Sequence, residues 1–230
     1  MLELFRSTSR IPAAVPGSPV ALDHPGWPES TPEVVLPDGG KVRLRPVGRR
    51  DGSAWSKQRV ADEQVLAPVE PTVAGSWSAA HSRNAWWRTL TMLREGAKLG
   101  RIVPFAIELD GAFAGQVTLG NIQHGVVSEC WIGYWVHSKH SGRGLATAAA
   151  ALGTDHAIDR VRLHRVTATF LPANPASGRV LEKVGFQREG LLRRAIHIDG
   201  RWQDHVSVAL TDDMYPLGAV ARLRRDGLLR

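Results

Sequence analysis

Cysteine is nearly absent: Cys130 is the single one in 230 residues. One thiol excludes an internal disulfide and a cysteine-based zinc site, and it fits a reducing cytoplasm. There is no run of eighteen apolar residues, so no membrane-spanning segment is expected. The start, Met1-Leu2-Glu3-Leu4-Phe5-Arg6, runs into Ser, Pro and Gly instead of an apolar signal core, and secretion is not expected. Lys and Arg nowhere form a dense run with interleaved aromatics. Direct nucleic-acid recognition is therefore not supported, although the formal charge is +7. That basic balance suits an anionic ligand, and equally a solvated basic surface. His137 and His140 have His-x-x-His spacing, but no cysteine or carboxylate accompanies them and they flank a turn. No metal site is expected.

What remains suffices for one domain, since 43% hydrophobic and 22% charged residues over this length allow a real core. Residues 1–32 carry Pro12, Pro16, Pro19, Pro25, Pro28 and Pro32 with little hydrophobic periodicity and read as a flexible leader. Residues 33–215 read as one mixed α/β domain, and residues 216–230 as a basic tail in a frayed surface helix. Within the domain, Val34–Leu36 and Val42–Arg45 flank a Pro-Asp-Gly-Gly turn. Helices are expected at residues 51–64 and 78–99, with a proline-marked loop at 66–71 between them. Strands follow at 105–109 and 113–119 around Asp110-Gly111, and another at 129–136. A helix at 143–160 leads to a buried strand at 166–170, parallel to the preceding one. Asn174 as N-cap, Pro175 and Gly185 bound a short helix, and the last strands join around Asp199-Gly200.

The most informative stretch runs from Trp135 to Thr147. It reads as a strand end, a turn with Gly142 and Gly144, and the start of an alanine-rich helix. Successive amides at such a turn can face one concavity, and the helix N-terminus adds partial positive charge. The stretch lacks the Lys-Ser/Thr ending of a nucleoside-triphosphate loop and has too few glycines for the dinucleotide fingerprint. Two readings are left: a cradle for the diphosphate of coenzyme A, or an ordinary strand-to-helix turn.

Several ordered blocks resemble the GNAT superfamily of acyl-CoA-dependent N-acetyltransferases. They are Ile132-Gly133-Tyr134-Trp135, Gly142-Arg143-Gly144-Leu145, Leu163-His164-Arg165-Val166, Pro172-Ala173-Asn174-Pro175-Ala176-Ser177, Leu181-Glu182-Lys183-Val184-Gly185-Phe186 and Glu189-Gly190. The segment Ile198–Val206, running into Ala209-Leu210-Thr211, is most similar to the RimJ branch of the RimJ/RimL ribosomal-protein N-terminal acetyltransferases. The resemblance implies an acyl-CoA N-acyltransferase fold: a mixed, mostly antiparallel sheet with a splayed parallel pair and flanking helices. It implies acetyl-CoA as cofactor and the N-terminal α-amine of a protein, an alanine of a ribosomal protein, as acceptor. Small-amine acetylation and a non-catalytic acyl-CoA sensor are the alternatives. The first would call for several acidic residues in the pocket, and few are evident.

By the same resemblance, Ser141, Gly142, Arg143, Gly144, Leu145, Ala146 and Thr147 hold the diphosphate. Trp135 and Val136 bond the pantetheine arm through their backbone, and Asn174 through its side chain. Ser141 departs from the superfamily's usual Gln or Arg. Lys183 is within possible reach of the phosphates, although an exposed helix charge explains it as well. Ser177 matches a serine proposed to protonate the departing thiolate, with an ordinary surface serine as the alternative. For the general base, Glu70 matches an acidic residue in a loop bordering the acceptor groove, and Glu129 is a second candidate, though strand alternation would turn it away. Asp204 reads as a strand anchor that could also bind the amine, and Cys130 as a buried thiol.

Overall fold

The computed structural model describes residues 26–214 and 217–230, so the leader before Gly26, expected to be loose, lies outside the described residues. The alternating apolar segments form one sheet from β1 (Val34–Val35), β2 (Lys41–Pro46), β3 (Val103–Leu109), β4 (Ala112–Gln123), β5 (Glu129–Val136), β6 (Arg165–Phe170), β7 (Gln187–Ile198) and β8 (Arg201–Thr211). Their spatial order is β1-β2-β3-β4-β5-β6-β8-β7. The turns at Asp110-Gly111 and Asp199-Gly200 have positive φ at both residues, 51° and 80° in one and 49° and 75° in the other. That is the turn geometry whose twist matches a tight hairpin, and it closes β3 on β4 and β7 on β8.

Among the described strands only β5 and β6 are parallel neighbours. Their register runs Glu129 to Arg165, Cys130 to Val166 and Trp131 to Thr167, then stops. β6 turns aside to pair with β8, while β5 continues along β4 through Trp135 opposite Gln116 and Val136 opposite Gly115. The expected splay is present. It opens a gap beside the backbone of residues 132–136.

Helices cover both faces. Against one lie α5 (Leu145–Asp159), α6 (Pro175–Val184) and α7 (Ala219–Arg225); against the other lie α1 (Gly52–Ala61), α2 (Glu63–Leu66), α3 (Trp77–Ala80) and α4 (Arg83–Lys98). The small residues of α5 bring it close to the sheet. Ala148, Ala149, Ala150 and Ala151 are fully buried, and a Cβ on Gly153 would stand 3.0 Å from both Ile132 and Val117. The opposite core packs Trp55, Trp86 and Leu90 over Ala106 and Phe113. Among the described residues no helix is long and apolar enough to cross a membrane.

Two helices are broken where continuous ones were expected. The first stops at Asp62, whose side chain is drawn into another loop. The second is interrupted at His81 and Ser82, because Ser82 adopts an extended backbone and its hydroxyl accepts from the Ala85 amide at 3.2 Å. A serine cap of this kind starts a new helix and ends the old one.

Both described ends are docked, contrary to a loose leader up to residue 32 and a frayed tail. The Gly26 carbonyl accepts from His156 Nε2 at 2.8 Å, and Glu29 pairs with Arg160. Thr31 bonds Leu44 through its backbone amide and its hydroxyl. In the tail, Leu223 and Leu229 are buried and the Arg230 amide donates to Val35. Asp155 of α5 accepts from the Ala219 and Val220 amides at 2.6 and 3.0 Å and so caps α7. Apolar residues on the inner side of the tail explain the docking, which its arginine content obscured.

Candidate active site

Beyond Val136 the chain makes a short 3-10 turn, Ser138–His140, and reaches Gly142 and Gly144 at φ of 79° and 83°. Side chains other than glycine rarely adopt this left-handed region. A Cβ at either position would meet nothing within 4 Å, so the turn borders open space. No side chain caps the start of α5 at Gly144. The first amides of a helix have no intrahelical acceptor, so those of Leu145, Ala146 and Thr147 remain donors at the positive end of a fifteen-residue helix. Donors, dipole and room together fit a diphosphate. Arg143 contributes backbone here, because its guanidinium turns away to Asp38 at 2.6 Å. Ser141 is exposed, and its amide closes the 3-10 turn on Ser138.

The turn is held from behind by a residue the sequence did not single out. Asp62, with a 3% exposed side chain, accepts from the Ser138 amide at 2.8 Å, the Ser138 hydroxyl at 2.6 Å and His137 Nδ1 at 2.8 Å. These donors hold its carboxyl below the usual range against the opposing effect of burial. His137 therefore has a carboxylate neighbour after all, supplied from 75 positions earlier in the chain.

In the gap between β5 and β6, Tyr134 Oη lies 3.2 Å from Ser177 Oγ. Asn174 Oδ1 accepts from the Ser177 amide at 3.3 Å, so Asn174 acts as the N-cap of α6 and presents Ser177 in its first turn. Burial pushes the Tyr134 phenol up to about 12. Tyr134 stood inside one of the quoted blocks, yet its pairing with Ser177 needed the fold to become visible. Lys183 is exposed in the last turn of α6.

Glu70 follows α2 and lies against the β7–β8 hairpin. Pro71 bridges to Ile198, and the Thr72 amide donates to His197 at 2.9 Å. Both carboxylate oxygens accept from Arg59, one from Nη1 at 2.7 Å and the other from Nη2. Burial raises the Glu70 pKa and the Arg59 charge opposes that rise. Arg59 also stacks its guanidinium 5.0 Å from the Trp135 ring and 5.1 Å from Trp77. Its Nη2 meets His81 Nε2 at 2.8 Å, and His81 Nδ1 lies 2.9 Å from the Trp77 carbonyl. One neutral tautomer satisfies both contacts: Nδ1 donates to Trp77 and Nε2 accepts from Arg59. Burial and the Arg59 charge push His81 down to about 4. Nothing local in the sequence pointed to Arg59 or His81.

Of the remaining candidates one changes, Glu129, while Asp204 stays a strand anchor and Cys130 a buried thiol. Glu129 lies in the closed part of the parallel pair, before the strands part, and Arg165 stands 3.4 Å from its carboxylate. That place and partner give no reason to treat it as a base. Asp204 accepts from the Arg194 amide at 2.8 Å and anchors the irregular middle of β7. Cys130 is buried, with its thiol pushed up to about 12, and is no nucleophile. A concavity of about 300 Å³ lies between the Leu171–Ala173 turn and residues 201–204 of β8. It borders the α6 N-terminus on the side of the hairpin.

The chain and its fold are similar to known proteins. Residues 41–187 match the model of the acetyltransferase (GNAT) domain. The structure of Mycobacterium smegmatis RimJ in complex with CoA-disulfide superposes with a TM-score of 0.88 at 46% identity, over 90% of this chain and 99% of that one. The Escherichia coli [ribosomal protein uS5]-alanine N-acetyltransferase is 29% identical over 81% of this chain and 95% of its own length. The probable N-acetyltransferase YjcK of Bacillus subtilis is 40% identical over 44% of this chain, and the match spans 56% of that protein.

Proposed function

Because the chain belongs to the GNAT acetyltransferase family, we propose that it acetylates the N-terminal α-amine of a protein, an alanine of a ribosomal protein. It is an acetyl-CoA-dependent N-acyltransferase. One observation favours a protein N-terminus over a small amine or a sensor: the likeness to RimJ reaches beyond the coenzyme half. At 90% coverage of this chain, too few residues stay unmatched to omit the β7–β8 hairpin and the Glu70 loop together. A coenzyme sensor would need neither.

Acetyl-CoA supplies the thioester carbonyl that the amine attacks. The chain's own residues do the rest. The amides of residues 142–147 take the diphosphate. The free edge of β5 from Ile132 to Val136 aligns the pantetheine arm as an added strand, with the side-chain N–H of Asn174 as a further donor. Ser177 Oγ, held against Tyr134 Oη, gives a proton to the sulfur as the thioester breaks. Glu70, oriented by Arg59, faces the amine. An α-amine has a reference pKa of about 7.7–8.0 against about 10.4 for lysine, so Glu70 or a water it orders suffices to receive the proton. The place of action is the cytoplasm, where ribosomal proteins are made.

The test is thiol release with an alanine-starting ribosomal peptide, the same peptide N-acetylated, spermidine, an aminoglycoside, and no acceptor. The free peptide alone should raise the rate. Equal background rates in all five would favour the sensor, and preference for a polyamine would overturn the acceptor.

A further inference from the structure

A second concavity lies away from the coenzyme gap, at the N-terminal end of α1. It has a volume of about 500 Å³ and is lined by Arg45, Gly48, Arg49, Arg50, Asp51 and Arg94. Its acidic groups are already used. Asp51 accepts from both terminal nitrogens of Arg45, at 2.9 and 2.6 Å, and from the Gly48 amide at 2.7 Å. Glu108 takes Arg43 and Arg45, each at 2.6 Å. Among the described residues Arg49, Arg50 and Arg94 are left with no carboxylate partner, three guanidiniums around one hollow. Arg49 lies 5.8 Å from the centre of the Trp87 ring, which is 49% exposed. Along α4, Trp87, Thr91, Arg94 and Lys98 recur at helical spacing, so they form one stripe about 16 Å long.

We propose that this face binds a single-stranded nucleic-acid segment, its phosphates against Arg49, Arg50, Arg94 and Lys98 and an unpaired base against Trp87. Uncompensated guanidiniums fit any polyanion. The exposed indole within the same row separates the candidates: every unpaired base offers a flat ring to stack, the carboxylates of an acidic peptide do not, and a duplex hides the faces of its bases. The residues come from two segments, 49–50 and 87–98, which explains why no dense basic run was visible in the sequence. For an enzyme acting on ribosomal proteins the segment would be RNA. That clause rests on the acceptor reading, while the binding itself does not.

The experiment is fluorescence anisotropy with a labelled oligouridylate 12-mer, in parallel with peptide acetylation. The wild-type protein should bind it, with affinity falling as salt rises. Arg49→Ser with Arg94→Ser should weaken binding at least about tenfold and reduce the log–log salt slope by about 1.4, the expectation for two lost phosphate contacts on a single strand. Trp87→Ala should weaken binding about fivefold or more with an unchanged slope. Arg224→Ser with Arg225→Ser on α7 should bind as wild type. None of these variants should alter kcat/KM on the free peptide, so loss of binding and loss of the acetyltransferase reading are distinguishable. Unchanged affinity in the Arg49/Arg94 variant overturns the proposal. So does an equal or tighter affinity for oligoglutamate or for a duplex of the same length, or full competition by inorganic phosphate at low millimolar concentration.

Discussion

Glu70 connects through Arg59 to Trp135 and Ser177 meets Tyr134, the neighbour of Trp135 on β5, and the two surroundings suit different work. A guanidinium occupies both oxygens of Glu70 and fixes the carboxylate, which in the proposed reaction would accept from the incoming ammonium. Glu70→Gln should raise KM for the alanine-starting peptide and remove the acidic limb of the pH–rate profile. Full activity with an unchanged limb would pass the proton to ordered water. Ser177→Ala should lower kcat about 10- to 100-fold with KM for acetyl-CoA little changed, measured by steady-state kinetics. His81 makes a different prediction, about stability. Its pKa falls from 6.5 to about 4 on folding, so the unfolded chain binds the extra proton between those values. Stability should therefore decline as pH drops from about 6.5 towards 4, and buried His156, whose pKa is also lowered, acts in the same direction. Thermal melts across that window should show a shallower decline for His81→Gln.

The proposed cradle is a property of a whole segment, and its turn and helix start were legible because they depend on backbone. Gly142, Gly144 and a helix start lie consecutively, so a linear reading could find them. Turn residues with positive φ, at Asp110-Gly111 and Asp199-Gly200, and the Asn174 cap were legible for the same reason. What stayed hidden were side chains that meet across the fold. Asp62 reaches Ser138, Arg59 reaches Glu70, and Tyr134 reaches Ser177 over sequence gaps that no local pattern records. The break at Asp62 frees a side chain for such a distant partner, whereas the one at His81–Ser82 comes from the local Ser82 cap. For the cradle itself, Gly144→Asp should abolish acetyl-CoA binding by calorimetry. Gly144→Ala separates the causes: it carries the left-handed strain of about 1–2 kcal/mol without the repelling charge. If the two variants bind equally, the anion site is wrongly placed.

Over the full described chain, the two ends close the face that carries α5. Besides its apolar contacts, the tail helix is capped by a single carboxylate of α5, and Asp155→Ala would leave the Ala219 and Val220 amides without that acceptor. A cost of about 1–3 kcal/mol is expected, lowering Tm by several degrees in a calorimetric melt. An unchanged Tm would mean that the apolar contacts of Leu223 and Leu229 alone dock the tail.

Arg59 and Asp62 are three positions apart at the end of α1, one facing the acceptor loop and the other the turn before the cradle. One helical turn thus has a hand on each of the two proposed substrate sites. Thermodynamic linkage follows: whatever factor by which bound coenzyme tightens the peptide, the peptide must tighten coenzyme by the same factor. Closed binding cycles with coenzyme A and an N-acetylated peptide should give one common factor above unity. Asp62→Asn should bring that factor towards one, and an unchanged factor would mean that this helical turn does not couple the two sites.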